Sequence, residues 1–468
     1  MTPADREWPT DQSVRPVDPT TLEVLGHGAP TSPDQLGRMV EAAGVAFTGR
    51  WPRDDRLRHD VLRRWADAIT TNAPALVESL IRETGKPRSE AVKEVAGAAD
   101  ALSYNAGLCR YIGGRAGSLP DGNELHLVRQ PVGVAAFIVP WNWPLLLLLR
   151  DLAPALAAGA TAVLKPAPQT TLVTQQVMRL GHAAGLPEDV VHTAVGGGEV
   201  GDALVRSERV RAISFTGSTQ VGRAILRSAA QNFTRPLLEL GGKGVAVVFP
   251  DADLSHAVET LVRAAYVTSG QMCMACTRII AHRDVFDDLA AAVAAKAATL
   301  RVGLPEREET EIGPLISPAH ASRVMEFIDD ARSAGTILSG GDYETVRGAQ
   351  GSFVQPTVVT GLSASSRVVQ DDVFGPVLTV ESFASEEEAV ALANATPYGL
   401  AAAVWTRDLA RSWRVGSVID AGTVWINGYG ASSAEMPSGG FKSSGLGRTR
   451  GIEGVEQFTE LKNLHFAR

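Results

Sequence analysis

The sequence predicts an α/β protein with a parallel-sheet domain of the dinucleotide-binding type, a second α/β domain and a small β element. Two observations predict the α/β parts. Short apolar runs alternate with helical patterns over most of the 468 residues, and such alternation is typical of parallel sheets covered by helices. Glycine-rich or polar turns follow these runs, at the sheet edge where such folds bind ligands.

Composition narrows the class of protein. Charged residues make up 21% and hydrophobic residues 45% of the chain, as in ordinary globular enzymes. The net charge of −8 provides no basic field, so we expect no nucleic-acid partner. Three cysteines cannot form a disulfide framework, which favours the reducing cytoplasm. The first 16 residues have no apolar core, and prolines interrupt the uncharged run Val132–Leu149. We therefore expect neither a signal peptide nor a membrane span.

The first half of the chain divides into an arm, helices, a hairpin and an alternating section. Residues 1–35 are rich in Pro, Asp and Thr and suggest an extended arm, and residues 34–105 have helical apolar spacing. Gly and Pro at 113–131 favour a projecting hairpin. We expect helices at Thr171–Ala184 and Thr219–Ala230, and one that begins at Pro144. We expect strands at Val132–Val139, Ala160–Lys165, Val190–Val195, Val210–Phe215 and Leu237–Leu240.

A second alternating section begins at Gly244–Phe249 and continues to about residue 427. Its apolar periods predict helices at Leu254–Val267, Asp284–Leu300 and Ala319–Ala334, and strands at Arg278–Ala281, Phe353–Thr360 and Val377–Phe383. The chain ends in an alternating strand, Glu456–Phe466, that has no obvious partner.

The loop Gly270–Cys276 contains the strongest candidate for chemistry. Cys273 lies between a predicted helix and a predicted strand, and a thiolate there would attack a carbonyl carbon well. Two other interpretations compete with this one: a buried, inert thiol, and a redox pair of Cys273 with Cys276 at C-x-x-C spacing. The nucleophile interpretation needs support from other parts of the chain.

Two turns after predicted strands have the character of phosphate-binding segments. Gly196–Gly201 has glycine at the three offsets of a dinucleotide fingerprint, but a run of three glycines is weak support and also fits a simple tight turn. Phe215–Thr219 is more informative, because small hydrogen-bonding residues begin a helix after a strand. The positive pole of that helix can accept a pyrophosphate.

Seven motifs, taken together and in this order, resemble the aldehyde dehydrogenase superfamily over nearly the whole chain. They are Pro140–Pro144, Leu164–Ala167, Phe215–Thr219, Leu238–Lys243, Gly270–Cys273, Phe374–Val377 and Gly439–Lys442.

The resemblance implies oxidation of an aldehyde to the carboxylic acid with NAD or NADP. Cys273 would attack the aldehyde, while the Asn142 amide and the Cys273 backbone N–H would stabilise the oxyanion. Loss of hydride would leave a thioester on Cys273, and Glu239 would activate water to hydrolyse it. On residue type alone, Asn142 could instead form a turn between prolines and Glu239 could be a surface carboxylate.

The resemblance also implies a cofactor site, with departures from the family pattern. Asp372 stands where the family usually has Glu near the nicotinamide ribose. Pro168 stands where NAD-preferring members often carry an acid that repels a 2′-phosphate. The resemblance therefore favours NAD as the cofactor and also permits NADP. Lys165 would contact the adenosine ribose, or else be a solvated lysine. The expected cofactor residues are Val139, Pro140, Trp141, Lys165, Gly198, Phe215, Gly217, Ser218, Leu240, Asp372 and Phe374.

The family's substrate tunnel maps onto Trp143, Leu147 and Arg150, which favour an apolar aliphatic or aromatic aldehyde. Arg150 offers an alternative, a semialdehyde held by its carboxylate, but pairing of Arg150 with a nearby acid is favoured. Asp151 and Thr449 stand where many relatives carry a Lys and a Glu that pass protons out of the site, so both members of that route are changed here. The sequence predicts no metal site.

Within the same fold, an acylating enzyme would pass the acyl group to coenzyme A or phosphate, and Glu239 favours water instead. A cysteine esterase without redox chemistry is the candidate from another class.

The expected domains are residues 1–112 and 132–240 for binding the cofactor, 241–437 for catalysis, and 113–131 with 438–468 for bridging between subunits. The unpaired terminal strand and the resemblance together predict a homodimer or homotetramer.

Overall fold

Within residues 14–467, which the computed structural model describes, two mainly parallel sheets covered by helices make up most of the fold. Residues 14–28 of the expected arm fold back on themselves through the bridges Val14–Gly28 and Val17–Val24. The segment 1–13, on which the signal-peptide expectation mainly rests, lies outside the described residues.

The helices before the first strand follow the predicted apolar spacing. Ser32 and Gln35 form a reciprocal capping box at the first of them, and Gly85 ends the third in a left-handed conformation (φ +70°). Trp65 and the leucines of these helices are buried in the largest apolar core. The bounds are α1 (Pro33–Thr48), α2 (Asp55–Thr71), α3 (Ala73–Thr84) and α4 (Arg88–Leu108).

The first sheet has the strand order β17-β7-β6-β3-β4-β5, in which the short strand β17 (Gly445–Leu446) is antiparallel to β7, and it confirms the five predicted strands. Its elements, with the hairpin before it, are β1 (Arg115–Ser118), β2 (Glu124–Pro131), β3 (Val134–Ile138), α5 (Pro144–Ala158), β4 (Thr161–Lys165), α6 (Thr171–Ala183), β5 (Val191–Thr193), α7 (Gly198–Arg206), β6 (Val210–Thr216), α8 (Thr219–Asn232) and β7 (Arg235–Glu239). Strands β5, β4, β3, β6 and β7 are mutually parallel, so their carboxyl ends lie at one edge.

The second sheet has the order β10-β13-β14-β9-β8-β15-β16, and only the β10–β13 pair is antiparallel. The remaining elements are β8 (Gly244–Val248), α9 (Leu254–Tyr266), β9 (Cys276–His282), α10 (Phe286–Ala298), α11 (Pro318–Ala334), β10 (Thr336–Ser339), β11 (Tyr343–Glu344), β12 (Phe353–Val354), β13 (Thr357–Thr360), α12 (Arg367–Gln370), β14 (Val377–Phe383), α13 (Glu386–Asn394), β15 (Ala401–Trp405), α14 (Leu409–Val418), β16 (Thr423–Ile426), β17 (Gly445–Leu446), α15 (Gly451–Glu456) and β18 (Thr459–Phe466).

Two expectations need correction. The predicted strand Phe353–Thr360 is divided at Pro356, which has no N–H to donate, so β12 pairs with β11 while β13 joins the large sheet. The terminal strand does have a partner, because β18 pairs antiparallel with β2 along its whole length. The pairing gives a separate sheet of order β1-β2-β18 in which β18 is an edge.

In the described part of the chain no helix is long and apolar enough to cross a membrane. The run Val132–Leu149 instead forms β3, a turn and the start of the buried helix α5.

Candidate active site

The turn before Cys273 is held in an uncommon backbone conformation. Thr268 (φ +51°) and Ser269 (φ +56°) are both left-handed, which is unfavourable for residues with side chains. The buried carboxylate of Glu90 accepts hydrogen bonds from the Thr268 N–H (2.9 Å) and hydroxyl (2.7 Å), and Ser269 Oγ donates to the Gly313 carbonyl at 2.9 Å. These bonds fix the path of the chain into the cysteine loop.

Glycines let three motifs meet at this loop. A Cβ atom on Gly270 would lie 2.1 Å from the carbonyl oxygen of Gly375, in the Phe374–Val377 motif. A Cβ atom on Gly242 would lie 2.3 Å from the carbonyl oxygen of Cys273 itself. Both positions therefore require glycine for the close approach of two backbones.

Asn142 is buried beside the same loop. Its Nδ2 donates to the carbonyl of Gln271 at 3.0 Å, and Gln271 is fixed in turn by bonds to Thr268 and to the Ile316 N–H. One hydrogen of the amide remains for another acceptor near Cys273. The geometry does not support a role for Asn142 as only a turn-former, because its side chain reaches across to the cysteine loop.

The buried ion pair Lys86–Glu94 holds the backbone of Asn142 in place. Lys86 Nζ binds Glu94 Oε2, donates to the Asn142 carbonyl at 2.7 Å, and lies 4.3 Å from the centre of the Trp143 ring. The other oxygen of Glu94 accepts the Leu145 N–H at 2.8 Å, at the start of α5. This pair fixes the segment before α5 relative to α4, and no motif in the sequence marks it.

Glu239 is the last residue of β7 and is only 3% exposed, so it is not a surface carboxylate. Its Oε1 atom has no hydrogen-bond partner among the described residues. Burial raises the pKa of Glu239 to about 7, although the charge of Arg150 opposes the rise. An unpartnered carboxylate with a pKa near neutrality is suited to general base catalysis.

The two cysteines of the loop differ in surroundings. Cys273 is half-buried and faces the cavity that contains Glu239, whereas Cys276 is fully buried on β9 with its Sγ 3.6 Å from the Arg278 carbonyl oxygen. Burial raises the pKa of the Cys273 thiol to about 12. The thiol is therefore protonated at rest and needs a proton acceptor when it reacts. Burial of Cys276 argues against a redox pair.

Arg150 and Asp151 form a buried bidentate ion pair. Arg150 Nε and Nη2 lie 2.7 and 3.0 Å from the two Asp151 oxygens, and Nη2 also donates to Thr216 Oγ1 at 2.9 Å. Ser214 Oγ donates to Asp151 at 2.8 Å, so Asp151 is not free to activate water. The favoured pairing of Arg150 with an acid is thus what the structure shows. Thr449, at the other altered position, bonds to the Ser438 carbonyl.

A cavity of about 290 Å³ opens in front of Cys273, and we call it the Cys273 cavity. The three predicted tunnel residues, Trp143, Leu147 and Arg150, all line it together with Glu239 and Arg450. Further lining comes from the loop after β16, including Tyr429, Gly430, Ala431, Ser432, Met436 and Pro437. Arg450 belongs to none of the motifs recognised in the sequence.

The expected cofactor residues follow the parallel strands at one edge of the first sheet. Val139, Pro140 and Trp141 come after β3, Lys165 ends β4, Gly198 begins α7 after β5, Phe215, Gly217 and Ser218 lie at the end of β6, and Leu240 follows β7. Ser218 caps α8, whose N-terminus points out of this edge. Lys165 is buried, not solvated. Its Nζ donates to the Pro166 carbonyl, and burial lowers its pKa to about 8.

Asp372 and Phe374 reach the same edge from the second sheet. The ring of Phe374 meets that of Trp141 edge-on, with centroids 5.5 Å apart, and His320 Nε2 lies 2.7 Å from the Phe374 carbonyl oxygen. Asp372 accepts the Gly242 N–H at 3.2 Å, and burial raises its pKa to about 6 against the opposing charge of Lys243. The segment before β14 thus contacts the edge of the first sheet through Asp372 and Phe374.

A cysteine, a carboxylate and an amide beside such a sheet edge are the groups expected of an oxidoreductase that forms a covalent intermediate. The chain belongs to the aldehyde dehydrogenase family, whose model matches residues 8–464. It is 37% identical to betaine aldehyde dehydrogenase of Bacillus subtilis (98% of this chain, 96% of the relative). It is also 37% identical to 2-hydroxymuconic semialdehyde dehydrogenase of Pseudomonas sp. (96% and 94%).

A solved structure of a betaine aldehyde dehydrogenase variant from Staphylococcus aureus, in complex with NAD+, superposes with a TM-score of 0.95. The two chains are 35% identical over 98% of this chain and 95% of that one. These findings confirm the family, the α/β fold and an NAD(P)-dependent aldehyde oxidoreductase. They leave open the aldehyde and the choice between NAD and NADP.

Proposed function

We propose that Cys273, Asn142 and Glu239 carry out the oxidation of an aldehyde to its carboxylic acid. The observation that supports this most directly is that Cys273 and Glu239 share one cavity, while the Asn142 amide reaches the backbone two residues before Cys273. The cavity lies beside the edge of the first sheet, where a dinucleotide binds in folds of this kind.

Cys273 Sγ attacks the aldehyde carbon, and the resulting oxyanion takes hydrogen bonds from Asn142 Nδ2 and the Cys273 N–H. The thiol proton needs an acceptor, and Glu239 is the only carboxylate of the Cys273 cavity in the described chain. The residues of the sheet edge would hold NAD(P), which would accept the hydride that leaves the former aldehyde carbon; loss of that hydride leaves a thioester on Cys273. After it has released the thiol proton to solvent, Glu239 removes a proton from water, which attacks the thioester carbon. The C–S bond then breaks, the acid leaves, and Cys273 takes back a proton.

The residues at the sheet edge fit a dinucleotide. Lys165 is a buried amine with one protein acceptor, the N-terminus of α8 offers backbone N–H groups, and the rings of Trp141 and Phe374 form an apolar wall. Asp372 would take the ribose hydroxyl groups. Pro168, at the start of a 3-10 turn, supplies no acid against a 2′-phosphate, so we propose NAD with NADP tolerated.

The wall of the Cys273 cavity supports a substrate with an apolar aliphatic or aromatic body. Trp143, Leu147, Trp425 and Met436 lie along it, and its small-residue loop leaves space for a chain or ring. A panel of aldehydes incubated with NAD and with NADP tests the proposal through the absorbance of the reduced cofactor. If the protein reduced neither cofactor with any aldehyde yet hydrolysed esters, the cysteine esterase alternative would replace it.

We further propose a homodimer or homotetramer, with the units at the boundaries predicted from the sequence. In β18 every residue after Thr459 is exposed, and Leu461, Leu464 and Phe466 remain between 40% and 53% exposed. An apolar edge strand of this kind is suited to pairing with another subunit. Free thiols at Cys109, Cys273 and Cys276 support a cytoplasmic location.

A further inference from the structure

Positive charge dominates the lining of the Cys273 cavity. Lys93, Arg150, Arg263 and Arg450 line it, against the single carboxylate of Glu239 within the described chain. Asp151 neutralises Arg150 through two contacts. Within residues 14–467, the other three cations have no carboxylate within 4.0 Å, and Lys93 and Arg263 are exposed at the outer part of the cavity.

Arg450 is the cation with the most unusual surroundings. It is half-buried, and its guanidinium makes one hydrogen bond in the described structure, from Nη1 to the Ser433 carbonyl at 2.9 Å. The negative charges of Asp100, Asp151 and Glu239 attract the Arg450 guanidinium without a hydrogen bond to it. Because a guanidinium has five N–H donors, most of its hydrogen-bonding capacity is left for another group.

The backbone at Arg450 holds this guanidinium in place at a conformational cost. Its φ of +62° and ψ of 177° lie in a region that is otherwise essentially restricted to glycine. The neighbours on both sides fix it. Thr449 exchanges two backbone hydrogen bonds with Ser438, of 2.7 and 2.9 Å, and the Gly451 N–H donates to the Ala434 carbonyl. Such strain in a non-glycine residue is concentrated at functional sites.

We propose that the substrate carries a carboxylate at the end remote from its aldehyde, and that Arg450 binds this carboxylate. This inference rests on the proposed function, because it places the aldehyde at Cys273. Arginine pairs with a carboxylate through two parallel hydrogen bonds, while Lys93 and Arg263 add attraction at the outer part of the cavity. The aromatic residues Trp143 and Trp425 could contact a quaternary ammonium group, but three cations without a carboxylate in contact would repel it.

The test compares kcat/KM for glutarate semialdehyde, pentanal and betaine aldehyde, which carry a negative, a neutral and a positive end. The intact enzyme should prefer glutarate semialdehyde over pentanal by about tenfold or more, as expected for a hydrogen-bonded charge, and should use betaine aldehyde least. In Arg450→Gln that preference should fall about tenfold through a higher KM for glutarate semialdehyde, and Arg450→Lys should retain part of it.

Arg347→Gln is the matched control, because it removes the same charge from an exposed position outside the cavity and should keep the preference. Arg450→Gly removes the charge together with the backbone strain, so it provides a folded variant if the glutamine variant is unstable. Equal use of glutarate semialdehyde and pentanal by the intact enzyme, or an unchanged preference in both Arg450 variants, would refute the carboxylate site while leaving aldehyde oxidation intact. Failure of all three aldehydes would instead refute the proposed function.

Discussion

Replacement of Glu239 by glutamine should stabilise the fold while it stops turnover. The carboxylate is buried at the end of β7, and its Oε1 has no partner among the described residues. Ionisation of Glu239 therefore costs the folded state free energy, a cost that its proposed role as the base would explain. Glutamine has nearly the same shape as the protonated acid but cannot ionise.

The size and sign of the effect follow from the pKa of Glu239. That pKa rises from an ordinary value of 4.5 to about 7 on folding. Between these values the folded protein holds a proton that the unfolded chain has lost, so stability falls as pH rises through this window. At about 1.36 kcal/mol per pKa unit, the full cost above pH 7 is about 3 kcal/mol. Glu239→Gln avoids it, so the gain should be near zero at pH 4.5 and about 3 kcal/mol at pH 8.

Denaturant unfolding of both proteins at pH 5 and pH 8 measures this difference. Glu83→Gln is a matched control, because burial also raises the pKa of Glu83 to about 7, yet both of its oxygens accept backbone N–H groups, from Leu172 (2.9 Å) and Val173 (2.7 Å). Glutamine there would oppose one N–H with another donor, so Glu83→Gln should destabilise the protein. The same cost of ionisation thus gives opposite outcomes at the two sites.

Turnover gives the second measurement. Glu239→Gln should yield one burst of reduced cofactor, slower than in the intact enzyme because Glu239 no longer accepts the thiol proton. A mass increase on Cys273 should follow, with steady-state turnover lower by about 10²- to 10⁴-fold. In the intact enzyme, hydrolysis of the thioester should accelerate as pH rises through about 7, because the ionised carboxylate is the base. Full steady-state activity, or a stability change that is the same at both pH values, would refute the assignment of Glu239 as a buried base.

Three further predictions concern the nucleophile, the cofactor and the assembly. Cys273→Ala should abolish oxidation yet bind reduced cofactor normally by fluorescence titration, whereas Cys276→Ala should be nearly silent in reducing buffer; equal losses would favour the redox pair. Pro168→Glu should lower kcat/KM for NADP relative to NAD by about tenfold or more, since a carboxylate repels the 2′-phosphate, and an unchanged ratio would place that phosphate elsewhere. Deletion of the residues after Gln457 removes β18 and should give a poorly soluble or monomeric, weakly active protein; light scattering that returned about 49.4 kDa for the intact chain would refute the oligomer.

Local patterns predicted the elements of this fold well because neighbouring residues determine them. The apolar runs of the first sheet became β3 to β7, and the helix that begins at Pro144 formed as expected. Errors arose where the outcome depends on distant segments. The terminal strand lacks a partner nearby in the sequence, and its actual partner β2 lies more than 300 residues earlier. Pro356 was an available signal for the division of Phe353–Thr360.

The cysteine loop could be found from the sequence, but its supports could not. Glu90, Glu94 and Lys86 lie on or beside α4, where charged residues at helical spacing usually face solvent. Only the packing of α4 under the turn before α5 buries them and turns them toward Thr268 and Asn142. No spacing rule distinguishes such a carboxylate from a surface one, so the signal exists only in three dimensions.

The sequence also could not show which arginine of the cavity is available to a substrate, because that depends on which one is paired with an acid. Both arginines line the Cys273 cavity, and their residue type alone would make either a candidate for binding a carboxylate. Arg150 is paired with Asp151. The two side chains also form hydrogen bonds to Thr216 and Ser214, so the charge of Arg150 is already balanced inside the protein. Arg450 has no such partner in the described chain and is held in a strained backbone conformation. We therefore place the proposed carboxylate site at Arg450, because pairing with Asp151, rather than position on the tunnel helix, distinguishes the two arginines.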